Sequence, residues 1–316
     1  MDKLKKILKS ELGLLLVLAL LCVVFAVASP HFLKQQNLLN ITRQVSIVLI
    51  VSMGMLGVVL TGEIDLSVGS SAALAGVALA YVMSKTGSIW LGIMAALGLG
   101  LVMGLLNGCL VVFGKIPSFI VTLATMGIFR GVAMAWTNGK PVSGLPAEFS
   151  IWGAGYAFGK VPAATLVSLI ILGIFILLLQ KTKHGTYIKA IGANSEAAVL
   201  STIPLIKYKL TVFIISGVMS AIGGIITTSK LLSAQPIACE GLEMDVLSGV
   251  ILGGASLSGG VGTAVGAFIG TLVIGVINNG LNLLNVSSYW QSIVKGIIIV
   301  VAVLLKRKEK RIITNR

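Results

Sequence analysis

Residues 45–83 read VSIVLIVSMGMLGVVLTGEIDLSVGSSAALAGVALAYVM. Two apolar runs, Val45–Leu60 and Leu66–Met83, enclose a short polar stretch that carries Glu63 and Asp65, two of only ten acidic residues in the chain. Each run approaches the roughly 20 residues that a helix needs to cross a hydrocarbon core about 30 Å thick. The stretch therefore reads as two membrane helices joined by a turn, and this reading extends to the rest of the chain.

With 56% hydrophobic and 11% charged residues among 316, and a mean hydropathy of +1.04, a set of soluble domains is excluded. Further apolar windows lie at Leu12–Ala28, Ile89–Phe113, Ile116–Trp136, Ala163–Leu179, Tyr208–Thr228, Val246–Gly260, Ala264–Leu284 and Trp290–Leu305. The expected fold is all-α: a single polytopic transmembrane helix bundle over 1–316, with about ten spans. Val246–Gly260 is short and glycine-rich, the pattern of a broken or re-entrant helix.

The net charge of +14 would suggest a nucleic-acid partner in a soluble protein. Here the cations cluster at Lys3–Lys9, at Lys181–Lys209 and at Lys306–Arg311, which is a topology signal and not a nucleic-acid one. The positive-inside rule puts all three clusters, and so both termini, in the cytoplasm. Six spans before 181–209 and four after it satisfy that parity, leaving 138–162 and 230–245 as outer loops. The basic start, apolar Leu12–Ala28 and Ala26–Ala28 triplet imitate a secretion signal, but the many following spans favour an uncleaved first helix. Cys22, Cys109 and Cys239 are scattered and fit neither a disulfide framework nor a metal site.

Glu63 and Asp65 are two residues apart, so on a helix they would point to opposite faces and could not share a proton. Asp65 fits the N-cap of a helix starting at Leu66, accepting from the amides of Ser67 or Val68. The same break is a candidate substrate pathway, and ion coupling through Glu63 is the third reading. Asn278, Asn279, Asn282 and Asn285 end an apolar helix ahead of Tyr289 and Trp290. Amides and rings of this kind suit a neutral polyol, and they equally suit bonding between helices. Arg130 is a lone charge within its span, placed to snorkel outward or to line a pore.

Small residues recur every fourth position at Ala96, Gly100, Gly104 and Gly108 and at Gly262, Gly266 and Gly270, the pattern of close helix packing in lipid. GVGTAVG at Gly260–Gly266 misses the dinucleotide fingerprint and lacks its strand context. Leu60–Ser70 is echoed by Leu252–Thr263 if two glycines are inserted, as in duplicated transporter halves.

The basic segment contains NSEAAVLSTIP from Asn194 to Pro204. Asn194 or Ser195 can cap a short helix through Glu196, Ala197, Ala198 and Val199, with Pro204 ending it. Exposed Val199 and Leu200 on such a helix call for a partner groove. His184 reads as a solvated side chain without a second ligand.

Taken together, TGEIDLSVGS, PSFIVTLATMGIFRG from Pro117, TNGKPVSG from Thr137, the NSEAA segment, LSAQP from Leu232, LGGASLSGG and NNGLNLLNVSSYWQ from Asn278 resemble the permease subunits of bacterial ATP-binding-cassette sugar importers of the ribose-type branch. The resemblance spans nearly the whole chain. It implies a homodimer or paired permease in the cytoplasmic membrane, a cytoplasmic ATPase, an extracytoplasmic sugar-binding protein and no bound cofactor, with a monosaccharide, ribose by default, as cargo. It also implies that Asn194–Val199 docks on the ATPase. Two positions depart from the family's habit, Thr202 where a glycine is usual and Cys239 where a small residue is usual. The chain has no G-x-x-x-x-G-K-[ST], so ATP would be bound by a separate subunit. The competing class is an ion-coupled secondary transporter using Glu63. An enzyme fits least, for no cluster of His, Cys and carboxylates is available at membrane depth.

Overall fold

The computed structural model describes residues 2–157, 159–287 and 289–297. The chain forms helices α1 (Asp2–Ala28), α2 (Gln35–Leu60), α3 (Val68–Thr86), α4 (Ile89–Val112) and α5 (Ser118–Thr137). A single 3-10 turn (Ala147–Trp152) and a two-residue hairpin, β1 (Tyr156–Ala157) with β2 (Val161–Pro162), come next. Then follow α6 (Ala163–Lys181), α7 (Lys183–Ala193), α8 (Ser195–Leu200), α9 (Leu205–Leu231), α10 (Leu242–Leu252) and α11 (Ala264–Leu283). Residues 289–297 are also helical.

Among the described residues, α1 to α6, α9 and α11 are the eight helices long and apolar enough to cross a membrane. The all-α polytopic bundle expected from hydropathy is present. One of the ten expected windows differs, and another is described only in part. In place of a helix over Val246–Gly260 stands α10, whose 11 residues reach about 16 Å at 1.5 Å per residue, half a hydrocarbon core. It stops because Gly254, Gly259, Gly260 and Gly262 turn the backbone to positive φ before α11 begins. The last window, Trp290–Leu305, is helical as far as residue 297, and the rest of it lies outside the described residues.

The bundle is organised around α9, which packs on α2, α3 and α4. Lipid is as apolar as leucine, so helices associate in it through close contact rather than through the hydrophobic effect. The small residues supply that contact. Gly104 lies against the Phe213 carbonyl, and a Cβ at Gly100 would approach Ala221 to 2.6 Å. The second stripe works the same way, with Gly266 against Gly253 and Gly270 against Gly249. Consequently α2 is buried over most of its circumference, whereas α1 and α4 turn Leu16, Leu20, Trp90 and Met94 outward, as lipid-facing helices do.

At one end of the bundle Val142 pairs with Ala234, tying the segment before the 3-10 turn to the one after α9. Arg43 lies 4.5 Å over the Tyr156 ring and donates to the Ala154 carbonyl, fastening the hairpin to α2.

Candidate functional site

The break between α2 and α3 is built around Asp65, which is 1% exposed. Its Oδ1 accepts from the Ser67 amide at 3.0 Å and the Ser67 hydroxyl at 2.6 Å, and its Oδ2 accepts from the Ser216 hydroxyl of α9 at 2.7 Å. Ser67 Oγ in turn accepts from Asn107 Nδ2 of α4 at 2.8 Å. Asp65 therefore closes a turn ahead of the helix, and α3 starts at Val68, two residues later than the expected N-cap would have it. A carboxylate with three donors is satisfied in a place where an unpaired one would be costly.

Glu63 forms an ion pair with Lys209 near the start of α9. The Ile64 amide donates to Ser118 Oγ of α5 at 3.1 Å. The break thus joins α4, α5 and α9, and its two carboxylates point to different partners.

The asparagines of α11 do not form one cluster. Asn279 makes a reciprocal amide pair with Asn37 of α2, at 2.9 and 3.0 Å. Asn282 Oδ1 accepts from Gln291 Nε2 at 2.8 Å. Asn278 Nδ2 donates to Asp245 Oδ2 of α10 at 3.2 Å, and its Oδ1 has no partner among the described residues. Asp245 is also ion-paired with Lys295 at 2.8 Å. Sequence reasoning gave no role to Lys295, and it counted Lys209 only as a topology charge. Both partners are remote in sequence, so no spacing rule could have found them.

Arg130 neither snorkels freely nor stands alone. It donates through one guanidinium nitrogen to the Pro236 and Ala238 carbonyls at 2.6 and 2.8 Å, pinning the 232–241 segment to α5. Glu243 stands over Gly69, where a Cβ would come within 2.5 Å of its carboxylate and of the Cys239 carbonyl oxygen.

In the basic segment, Asn194 ends α7 by donating its backbone N–H to the Ala190 carbonyl and caps α8 by accepting from the Ala197 amide at 3.0 Å. Ser195, Glu196 and Ala197 are exposed and Ala198 is buried, while Val199 and Leu200 are 56% and 86% exposed. Pro204 does not end this helix. Thr202, at φ +59°, turns the chain after α8, and Pro204 is the N-cap position of α9. His184 is half-buried and not a freely solvated side chain: its ring is 5.1 Å from that of Tyr208, and its Nε2 is buried with no hydrogen-bond partner among the described residues. Burial, then the Lys207 charge, lowers its pKa from 6.5.

The long apolar helices, broken at a polar turn, define a multi-pass membrane protein. The chain belongs to the family described as the permease component of the branched-chain amino acid transport system, which it matches over residues 37–303. Among curated proteins, it is 45% identical over 303 residues to the ribose import permease protein RbsC of Bacillus subtilis (strain 168), a match covering 95% of this chain and 93% of that one. It is 40% identical over 300 residues to RbsC of Escherichia coli (strain K12), covering 94% and 93%. It is 41% identical over 303 residues to the L-arabinose transport system permease protein AraH of the same organism, covering 95% and 92%. No solved structure matches it significantly.

Proposed function

We propose that this chain is the membrane-spanning subunit of an ATP-binding-cassette importer that carries a pentose, ribose by default, across the cytoplasmic membrane. A separate ATPase drives it and an extracytoplasmic binding protein feeds it. The observation that carries the reading is α8: a six-residue helix, capped by Asn194, that leaves Val199 and Leu200 uncovered in a lysine-rich segment. A solvated loop has no need of such a surface, and a docking helix does. The relatives named for ribose and arabinose support a pentose as cargo.

The chain forms one permease domain with ten crossings and cytoplasmic termini. In this arrangement α10 and the turn 253–263 together make the eighth crossing, and the helix from 289 makes the tenth. Segments 138–162 and 230–245 lie outside. Two copies pair, with α5 facing the pathway, since Arg130 is a charge within a membrane span and poorly suited to lipid. Of the sequence candidates, Asn278 keeps an amide oxygen for a sugar hydroxyl, Asn279 and Asn282 tie α11 to Asn37 and Gln291, and Glu63 and Asp65 frame the break.

The ion-coupled alternative needs Glu63 as its ion site, and Lys209 already neutralises that carboxylate. The test is to pull down the tagged chain from its native membrane beside Glu196→Lys. A cytoplasmic ATPase is expected with the wild type and lost with the variant. A wild type that comes down alone after mild cross-linking overturns the reading.

A further inference from the structure

The two helix breaks that echo each other in sequence touch, and α7 touches both of them. Leu60, the last residue of α2, offers its carbonyl to the Gly260 amide of the other break at 2.9 Å. Gly192 of α7 lies on this junction: an added Cβ would overlap the Leu60 carbonyl oxygen, reach 2.5 Å from Gly260 N and 2.9 Å from Gly259 Cα. From the other side, a Cβ on Gly259 would stand 2.7 Å from Gly192 Cα and 2.8 Å from Gly62 N. Backbone meets backbone at every one of these contacts.

Their chemistry makes them stiff. A contact between long side chains can take up a small displacement by changing rotamers, whereas three peptide backbones in contact have no such slack, and close-packed interiors transmit strain. The input side is equally tight. Asn194 ends α7 and caps α8 with successive hydrogen bonds, so the two short helices share one rigid corner. The output side is doubled: one break leads into α3 and the other into α11, and the Glu63–Lys209 pair ties the first break to α9.

We propose that the Gly192–Leu60–Gly259 contact is the joint through which displacement of α8 reaches both broken helices at once. Gly192 is then a positioning residue for transport, one that touches neither nucleotide nor sugar. This rests on the ATP-driven reading above. It adds a claim that reading does not make, namely that coupling passes through this junction.

The test uses the complex purified through a tag on this chain and reconstituted in proteoliposomes with its binding protein, measuring ATP hydrolysed and labelled ribose or arabinose imported. Gly192→Ala is compared with Gly173→Ala on α6, where nothing lies within 4 Å of the added methyl. The variant is expected to keep its ATPase and its hydrolysis while ATP spent per sugar rises about tenfold, within the 5–150-fold span typical of coupling between sites. A purely structural residue would lower complex yield, hydrolysis and uptake together, leaving that ratio unchanged, and this result overturns the proposal. Should Gly192→Ala fail to assemble, Glu63→Gln decides, because it frees the first break, on the output side of the joint, from α9 without adding volume: a raised ratio supports the joint and an unchanged one removes it. A wild type that shows no ATP-driven uptake of either sugar defeats the parent reading, and the joint with it, before any variant is compared.

Discussion

Six residues other than glycine adopt positive φ among the described residues, Thr202 and Cys239 at +59° and +58° among them. For a β-branched residue the left-handed region is a genuine outlier, costing about 1–2 kcal/mol. Thr202→Gly removes that cost and adds chain entropy to the unfolded state, so a net gain of about 0.5–1 kcal/mol is expected. Denaturant unfolding in detergent measures it, and no gain would mean that Thr202 is held by more than its backbone. At His184 the question is charge. Burial and Lys207 hold its pKa below 6.5, so folding favours the neutral ring. The corresponding stability is complete above pH 6.5 and is lost as pH falls through the lower folded-state value. The melting temperature of the wild type should therefore drop between pH 7.5 and pH 5 by more than that of His184→Gln, and parallel profiles would show that protonation there costs nothing.

At the scale of one helix, α4 contains a built-in comparison. A methyl on Gly104 would overlap the Phe213 carbonyl and approach Ile214 Cα to 2.8 Å, while around Gly98 nothing lies within 4 Å. Gly98→Ala should stabilise the bundle by about 0.5–1 kcal/mol through helix propensity alone. Gly104→Ala should destabilise it by about 1–3 kcal/mol, since α9 must move away. Thermal unfolding of the two variants side by side decides the matter, and equal effects would mean that α4 and α9 are not in contact. This packing was legible in the sequence, because a small residue every fourth position has one physical use in lipid. The long spans were legible for a similar reason: hydropathy over some 20 residues is a sum, and it tolerates local exceptions. Elements shorter than that window were not. The glycines that stop α10 at Leu252 lie inside an otherwise apolar run, and α3 begins late because Asp65, whose bond to the Ser67 amide was legible, also takes the Ser67 hydroxyl and holds a turn ahead of the helix. The partners of Glu63 and Asn278 come from helices far along the chain, so the site's separate pairings were beyond any local pattern.

For the whole molecule the open quantity is how many times the chain crosses. Among the described residues eight helices are long enough, and the proposed cytoplasmic placement of the basic clusters at 181–209 and 306–311 calls for an even number of crossings between them. On the ten-crossing arrangement proposed above, α9 and α11 are two of these and a helix from 289 is a third. The turn 253–263 supplies the missing one if it continues the path of α10 to the cytoplasmic face. Its geometry favours that, for Gly259 and Gly260 lie against Gly192 and Ala193 of the basic segment, so the turn and α7 occupy the same end of the bundle. Irregular backbone at such depth is tolerated where protein covers it, as α2 and α7 do here. A single cysteine at Ser258, which is exposed, should thus react with a membrane-impermeant maleimide only in inverted vesicles, as one at Glu196 should. A cysteine at Lys160 in the hairpin should react only in intact cells. Labelling of Ser258→Cys from outside would make α10 a hairpin that returns to the side it entered from. It would separate the two breaks across the membrane, and the contact of Gly259 with Gly192 could not then exist.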